Sequence, residues 1–373
     1  MAAGDIFDAS AARVGRRSTT ETRKRLEIMG LFTPFKQKGL ELRNRIVMSP
    51  MVQFCAPPDG HMTEWHHNHY GARAVGGVGL VMIEATAVES RGRCYITDLG
   101  IWSDEHVAGF KRLVDFCHSQ GAKVGIQLGH AGRKNLDGVS QLVAPSAIPM
   151  DAKHPMPKEM TRADMLEVIE SFRKATRRAV AAGFDMIELH GAHGYLLGTF
   201  MAELANTRTD EFGGSTANRT RFPLEVAAAV RAEWPAERPL WIRLSCTEYG
   251  PEGEPIPGVE DEIVAVAHLI KAAGIDLIDC STGGATPNRP RDVFPGYQVR
   301  YSDRVRREVG IPTAAVGLIA TPEAAEEILS NDRADLVVIG RELMRSPYWA
   351  LDAARKLGVD VPWPKQYAVA KPR

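Results

Sequence analysis

The sequence predicts an α/β protein, a single-domain (β/α)8 TIM barrel with long βα loops. Three observations carry that expectation. Eight short apolar runs recur along the chain, each followed by a polar or glycine-rich turn and then a helical pattern. Near-continuous apolar strands alternating with helices imply a parallel sheet covered on its outer face, and eight such units imply closure into a barrel. The open doubly wound alternative needs a glycine-rich first turn, and no GxGxxG follows the first strand.

In chain order the strands are RIVMS (45–49), LVMIEATAV (80–88), AKVGIQLGH (122–130), DMIELHGAH (185–193), PLWIRLSC (239–246), IDLIDCSTG (275–283), IPTAAVGLI (311–319) and ADLVVIGREL (334–343). Amphipathic stretches at 104–120, 162–182, 218–234, 259–273 and 321–330 read as helices. Gly121, Gly183 and Gly274 each follow a helix and precede a strand, the position where a left-handed residue ends a helix. GGVG (76–79) precedes a strand and reads as a helix-to-strand turn. Residues 131–160, 247–258 and 284–300 lack a clear period and read as long loops that shape a pocket at the C-terminal face. Residues 1–28 lack the apolar segment of a signal peptide and read as a flexible extension; residues 29–373 form the barrel.

Composition narrows the function. The 373 residues are 44% hydrophobic and 25% charged with zero formal net charge, an ordinary globular balance that argues against a nucleic-acid or anionic-membrane surface. No apolar run approaches the ~20 residues needed to span a bilayer. Five scattered cysteines with no CxxC pair point to a reduced, cytoplasmic protein without a disulfide framework.

Two consecutive strand ends suggest a phosphate site. The seventh strand ends in AAVGLIATPE and the eighth in VIGRELMRSP. Gly317 and Gly340 remove side chains where a ligand must approach backbone N–H groups, and Arg341 adds a fork of donors suited to phosphate oxygens. Barrel enzymes often bind phosphate between these two loops. Thr321-Pro322-Glu323 reads as a helix start with proline in the first turn.

Strand ends on one barrel face share one site, so Ser49 and Pro50, Glu84 to Thr86, Gln127 and His130, His190 and His193, and Arg243 converge. Gln127 can donate and accept at once, which suits a ring edge carrying both C=O and N–H. Arg243 sits among apolar neighbours and needs an anion, a developing negative charge, or a salt bridge to Glu84 or Glu188. The stretch IELHGAHGYLL places two histidines and Tyr195 just past a strand end. His66, His67 and His69 in HMTEWHHNHYG spread around a helix and do not converge as metal ligands; no metal site is expected.

An ordered set of longer strings goes further: LFTPF with LRNRIVMSPM, DLGIWSDEH, GIQLGHAGRK, APSAI, GFDMIELHGAHGYL, NTRTDEFGGS with NRTRF, LIDCSTGG, FPGYQV and ADLVVIGREL. With these the chain, from Met29 to Tyr367, resembles the old yellow enzyme family of FMN-dependent ene-reductases, in its thermophilic-like (class III) subgroup. The resemblance implies FMN over the barrel mouth, NADPH or NADH as hydride donor, a small activated alkene as substrate, and a homodimer or homotetramer. It implies that Ser49, Pro50 and Ala85 line the flavin. Gln127 would bind the pyrimidine edge and Arg243 would face N1 and the C2 carbonyl. Gly317, Gly340 and Arg341 would hold the phosphate. His190 and His193 would bind the oxygen of the activating group, and Tyr195 would supply the proton. The chain departs from the subgroup at Val52, where a cysteine usually lies near flavin N5, and at Phe54, where a substrate-contacting tyrosine is usual; Phe54 is expected to make that contact without a hydroxyl. After Gln366-Tyr367 the subgroup tends to place an arginine, and here Ala368 and Val369 follow. Two other readings compete: a barrel metal-dependent hydrolase or aldolase using His190 and His193 with Glu188 or His130, and a flavin-binding redox sensor.

Overall fold

All eight apolar runs form strands, and they close on themselves. The computed structural model describes residues 29–136, 138 and 141–372, so the extension over 1–28 lies outside the described residues. The barrel strands are β1 (Ile46–Met48), β2 (Leu80–Ala87), β3 (Lys123–Gly129), β4 (Met186–Gly191), β5 (Leu240–Ser245), β6 (Leu277–Ser281), β7 (Thr313–Ala315) and β8 (Leu336–Ile339). Each pairs in parallel with the next, and β8 returns to β1 with Val338 opposite Val47, which leaves the sheet without an edge.

The helices that cover it are α1 (Glu64–Val75), α2 (Val107–Ser119), α3 (Arg162–Ala182), α4 (Thr216–Glu233), α5 (Val259–Ala272), α6 (Val299–Val309), α7 (Pro322–Ser330) and α8 (Trp349–Lys356). Their ends follow local chemistry. The Thr161 side chain accepts from Asp164 N at the start of α3, and Gly183 ends that helix at φ +88°. Thr321 caps α7 by accepting from Ala324 N at 3.2 Å, with Pro322 in the first turn. Residues 76–79 do connect α1 to β2. Helix α6 differs from the expectation, because it begins within the stretch read as loop.

Strand alternation sorts the apolar side chains into two cores. Val81, Ile83, Val124, Ile126, Ile187 and Leu189 face the helices. Val47, Leu80, Met82, Met186, Trp241, Leu277, Leu336 and Val338 fill the barrel interior. A hairpin of Phe35–Gln37 and Leu40–Leu42, not anticipated from the sequence, packs Phe35, Leu40 and Leu42 against that interior core. Trp241 Nε1 donates to Gln37 Oε1 at 2.7 Å, which ties the hairpin to the barrel. Burying each large side chain of this kind contributes roughly 1.5–3 kcal/mol. Toward the C-terminal ends the inward positions turn polar, with Ser49, Gln127, Glu188, His190, Arg243, Asp279 and Ser281 all buried. Among the described residues no helix is long and apolar enough to cross a membrane.

Candidate active site

The turn after β4 builds one wall of the mouth. His190 is buried, and its Nδ1 accepts from Ala192 N at 3.3 Å, which assigns the ring proton to Nε2. The chain then turns through left-handed backbone at His193 (φ +57°) and Gly194 (φ +71°). Gly194 has to be glycine, since a Cβ there would collide with the Gly284 carbonyl. His193 N donates to Ser245 Oγ at 2.9 Å, its Nε2 pairs with Ser281 Oγ at 2.8 Å, and its carbonyl accepts from Lys134 Nζ at 2.6 Å. The His190 ring lies 5.2 Å from that of His193, and the Lys134 ammonium sits 6.0 Å over the Tyr195 ring.

Electrostatics set the protonation of this group. Burial pushes both imidazoles well below the ordinary histidine range; His193 reinforces the shift at His190, and the positive charges of Arg243 and Lys134 reinforce it at both rings. Both rings are therefore neutral, each with one N–H to offer. Burial raises the Tyr195 phenol well above its usual value, and the Cys94 thiol and Asp98 add to this. Lys134, Ser281 and Cys94 were not singled out in the sequence. Lys134 and Ser281 do lie close to strand ends, in GIQLGHAGRK and LIDCSTGG, and that proximity was the available signal.

A cavity of about 380 Å³ opens beside this turn, and Ser49, Pro50, His193, Arg243, Gly317, Gly340 and Arg341 all line it. Gly317 takes φ +122°, and a Cβ there would lie 3.0 Å from that of Gln298, so only glycine fits. Leu318 follows at φ +54°, continuing the left-handed turn. Gly340 differs: a Cβ there would make ordinary contact with Met51 Sδ at 3.4 Å and Ser49 Cβ at 3.8 Å. Its missing side chain keeps cavity space open rather than relieving crowding within the chain.

The cavity floor departs from the expectation at Arg243. Its acidic partner is neither Glu84 nor Glu188 but Asp279 on β6, with Nε 3.3 Å from Oδ2. The register explains this, because Asp279 stands directly opposite Arg243. Arg243 Nη1 also reaches Ser49 Oγ at 3.5 Å, while Nε and Asp279 Oδ1 make no hydrogen bond. Glu188 is engaged by Gln127, whose Nε2 donates to Oε1 at 2.7 Å. Glu84 leaves the mouth altogether. A register shift between Ile83 and Thr86 interrupts the β2–β3 pairing, and Glu84 accepts instead from Tyr70 Oη at 2.7 Å and Gln53 N at 3.1 Å. Ala85, next along the shift, lines a smaller cavity with Tyr195 and Cys94. His130 is committed to Glu89 at 2.8 Å. Phe54 is 56% exposed at φ +52°, with its ring edge-on to Tyr95 at 5.2 Å, and lines neither cavity.

The arrangement suits a phosphorylated planar cofactor. An incompletely bonded guanidinium and a primary amide lie at the strand ends, and a glycine-lined cradle with Arg341 lies to one side. Over residues 30–359 the sequence matches the NADH:flavin oxidoreductase / NADH oxidase family.

The chain belongs to that family.

The flavin oxidoreductase is 50% identical over 339 residues to an NADPH dehydrogenase of Geobacillus sp. (strain WCH70), covering 90% of this chain and 97% of the relative. It is 49% identical over 342 residues to an NADPH dehydrogenase of Listeria monocytogenes serotype 4a (strain HCC23), covering 91% and 98%. Its fold is similar to that of morphinone reductase, with a TM-score of 0.74, 29% identity, and 91% and 93% of the two chains covered. A 2-naphthoyl-CoA reductase in complex with 2-naphthoyl-CoA superposes with a TM-score of 0.81 at 25% identity over 88% of this chain; the chain spans 52% of that reductase. The protein is thus an NAD(P)H:flavin oxidoreductase of the old yellow enzyme type, with FMN as cofactor and a nicotinamide as hydride donor.

Proposed function

We propose that this flavin oxidoreductase reduces the activated C=C bond of α,β-unsaturated carbonyl or nitro compounds, in ping-pong order with NAD(P)H. The observation that carries this reading is the grouping of His190, His193 and Tyr195 in one turn, with His193 on the wall of a cavity that Arg243 also lines. Ser49, Pro50, Ala85, Gln127 and Arg243 would flank the flavin ring, and Gly317, Gly340 and Arg341 would hold its phosphate. Bound FMN supplies two-electron chemistry, accepting a hydride equivalent from NAD(P)H and passing one to the substrate.

The chain's own residues supply the rest. Two neutral imidazole N–H groups bind the carbonyl or nitro oxygen, where negative charge grows as the β-carbon is reduced. Preorganised donors at such an oxygen are worth ~3 kcal/mol each in the transition state. Tyr195, kept protonated by its surroundings, gives its proton to the α-carbon. Lys134 fixes the turn by holding the His193 carbonyl. The metal-hydrolase reading loses its extra ligands, because Glu188 bonds Gln127 and His130 bonds Glu89.

The test is anaerobic reduction of the FMN-loaded protein with NADPH, followed by mixing with a cyclic enone, a maleimide or a nitroalkene. The reading expects rapid return of the yellow colour and a saturated product. A reduced protein that is reoxidised by dioxygen alone would sink it.

A further inference from the structure

Beneath the cavity lies a buried charge array that the proposed reaction does not use. Gln127, Glu188, Arg243 and Asp279 come from four neighbouring strands, β3 to β6. The two carboxyl groups and Gln127 are each 1% exposed, and Arg243 is 5% exposed. Asp279 faces the guanidinium directly at 3.3 Å, whereas the hydrogen-bond partner of Glu188 is the neutral Gln127 amide at 2.7 Å. The other titratable groups nearby do not neutralise it. His190 and His193 are uncharged, Glu84 is turned toward Tyr70, Cys280 adjoins Asp279 on β6 with its thiol pushed up, and the Lys134 ammonium is held on the His193 carbonyl. Two acids sharing one guanidinium leave one carboxylate in excess, which is costly out of water, so the array favours holding a proton. Asp279 has the cation beside it, so the proton belongs on Glu188.

We propose that Glu188 is a proton-exchanging positioning residue, which through the Glu188–Arg243–Asp279 array couples the charge of the flavin ring to solvent protons. The inference rests on the ring lying over Arg243, as in the proposed function. Hydride transfer from NADPH to neutral oxidised FMN yields NADP⁺ and a ring carrying one extra negative charge, and it balances without a solvent proton. That added charge disfavours the ionised form of Glu188, so the carboxylate takes up a share of a proton from solvent. Burial and Asp279 push Glu188 above the usual carboxylate range, against the opposing pull of Arg243 and Gln127. Uptake is therefore centred above that range, at the raised value of the carboxyl. Well below it Glu188 is protonated in both flavin states, and well above it ionised in both, so uptake vanishes on either side.

The experiment is anaerobic reduction of the FMN-loaded holoenzyme by one equivalent of NADPH in weak buffer, with a pH indicator, from neutral to strongly alkaline pH. The wild type should show a bell of proton uptake, and Glu188→Gln should remove it. Asp279→Asn leaves Glu188 as the sole acid beside Arg243, so the bell should move to lower pH, and this variant decides the matter if Glu188→Gln does not fold. A flat wild-type profile, a bell that survives Glu188→Gln, or one that ignores Asp279→Asn overturns the proposal. FMN fluorescence titrations accompany each variant. Failure of the underlying flavin placement shows separately, as an FMN affinity unmoved by Arg341→Ala.

Discussion

The Tyr195 ring stands 4.4 Å from the His190 ring at a 58° tilt, so a phenol and an imidazole from one turn of chain address the same small volume. If they divide the work as proposed, their variants separate the half-reactions. Tyr195→Phe should slow alkene reduction by ~10²–10⁴-fold, the usual worth of a positioned acid, and leave flavin reduction by NADPH nearly unchanged. Stopped-flow traces of the two half-reactions read this directly, and equal losses in both would remove Tyr195 from the acid role.

His190→Ala and His193→Ala should each slow the alkene half-reaction by ~10²–10³-fold. The His193 variant should show the larger effect on substrate affinity, since it also frees the Ser281 hydroxyl. The pH profile tests the same assignment. Both imidazoles are held below the ordinary range and Tyr195 above it. Their N–H and O–H donors are therefore intact between the ordinary histidine and tyrosine values of ~6.5 and ~10. Single-turnover reduction of an enone by the Glu188→Gln variant, in which that buried carboxyl no longer titrates, should be flat across that interval, and an inflection near ~6.5 would show an imidazole that titrates normally.

Arg341→Ala should lower FMN affinity by ~10–100-fold, the value of one charge-assisted contact of about 1.5–3 kcal/mol. Flavin content after extensive dialysis, with a fluorescence titration of the stripped protein, gives the answer. Full flavin retention would exclude Arg341 as the phosphate anchor.

Stability should carry an acid signature at Glu89. Burial pushes its carboxyl up, but hydrogen bonds and charges from His130 and Arg91 outweigh that and hold it down at about 2. A depressed folded value stabilises the fold above the unfolded value of ~4.3 and is lost as pH falls toward the folded one. Glu89→Gln should cost about 1–3 kcal/mol at neutral pH, and the gap to wild type should shrink between pH ~4 and ~2. Urea denaturation at several pH values measures it, and a constant gap would refute the linkage.

The barrel was legible because a parallel strand buried on both faces spells a nearly unbroken apolar word, and all eight runs obeyed that. Helix α6 was not, since Val299–Val309 is crowded with arginines and its buried face mixes Tyr301 and Ser302 with Val299, Val305 and Val309. The hairpin over Phe35–Leu42 is too short to show a period. Within the site, residue types at strand ends announced the histidine turn and the glycine cradle. Pairings did not announce themselves. Asp279 becomes the partner of Arg243 through sheet register, and Glu84 leaves the mouth through a local shift in pairing. Both effects depend on neighbours distant in sequence, so no local pattern encodes them.

The hairpin that packs under the barrel has a kinetic corollary. With Phe35, Leu40 and Leu42 capping the filled interior and Trp241 pinned to Gln37, the barrel is solid from its base up to the polar layer. Under the proposed function donor and acceptor would then meet the flavin from the same side, so crowding by either one should slow the other's turn.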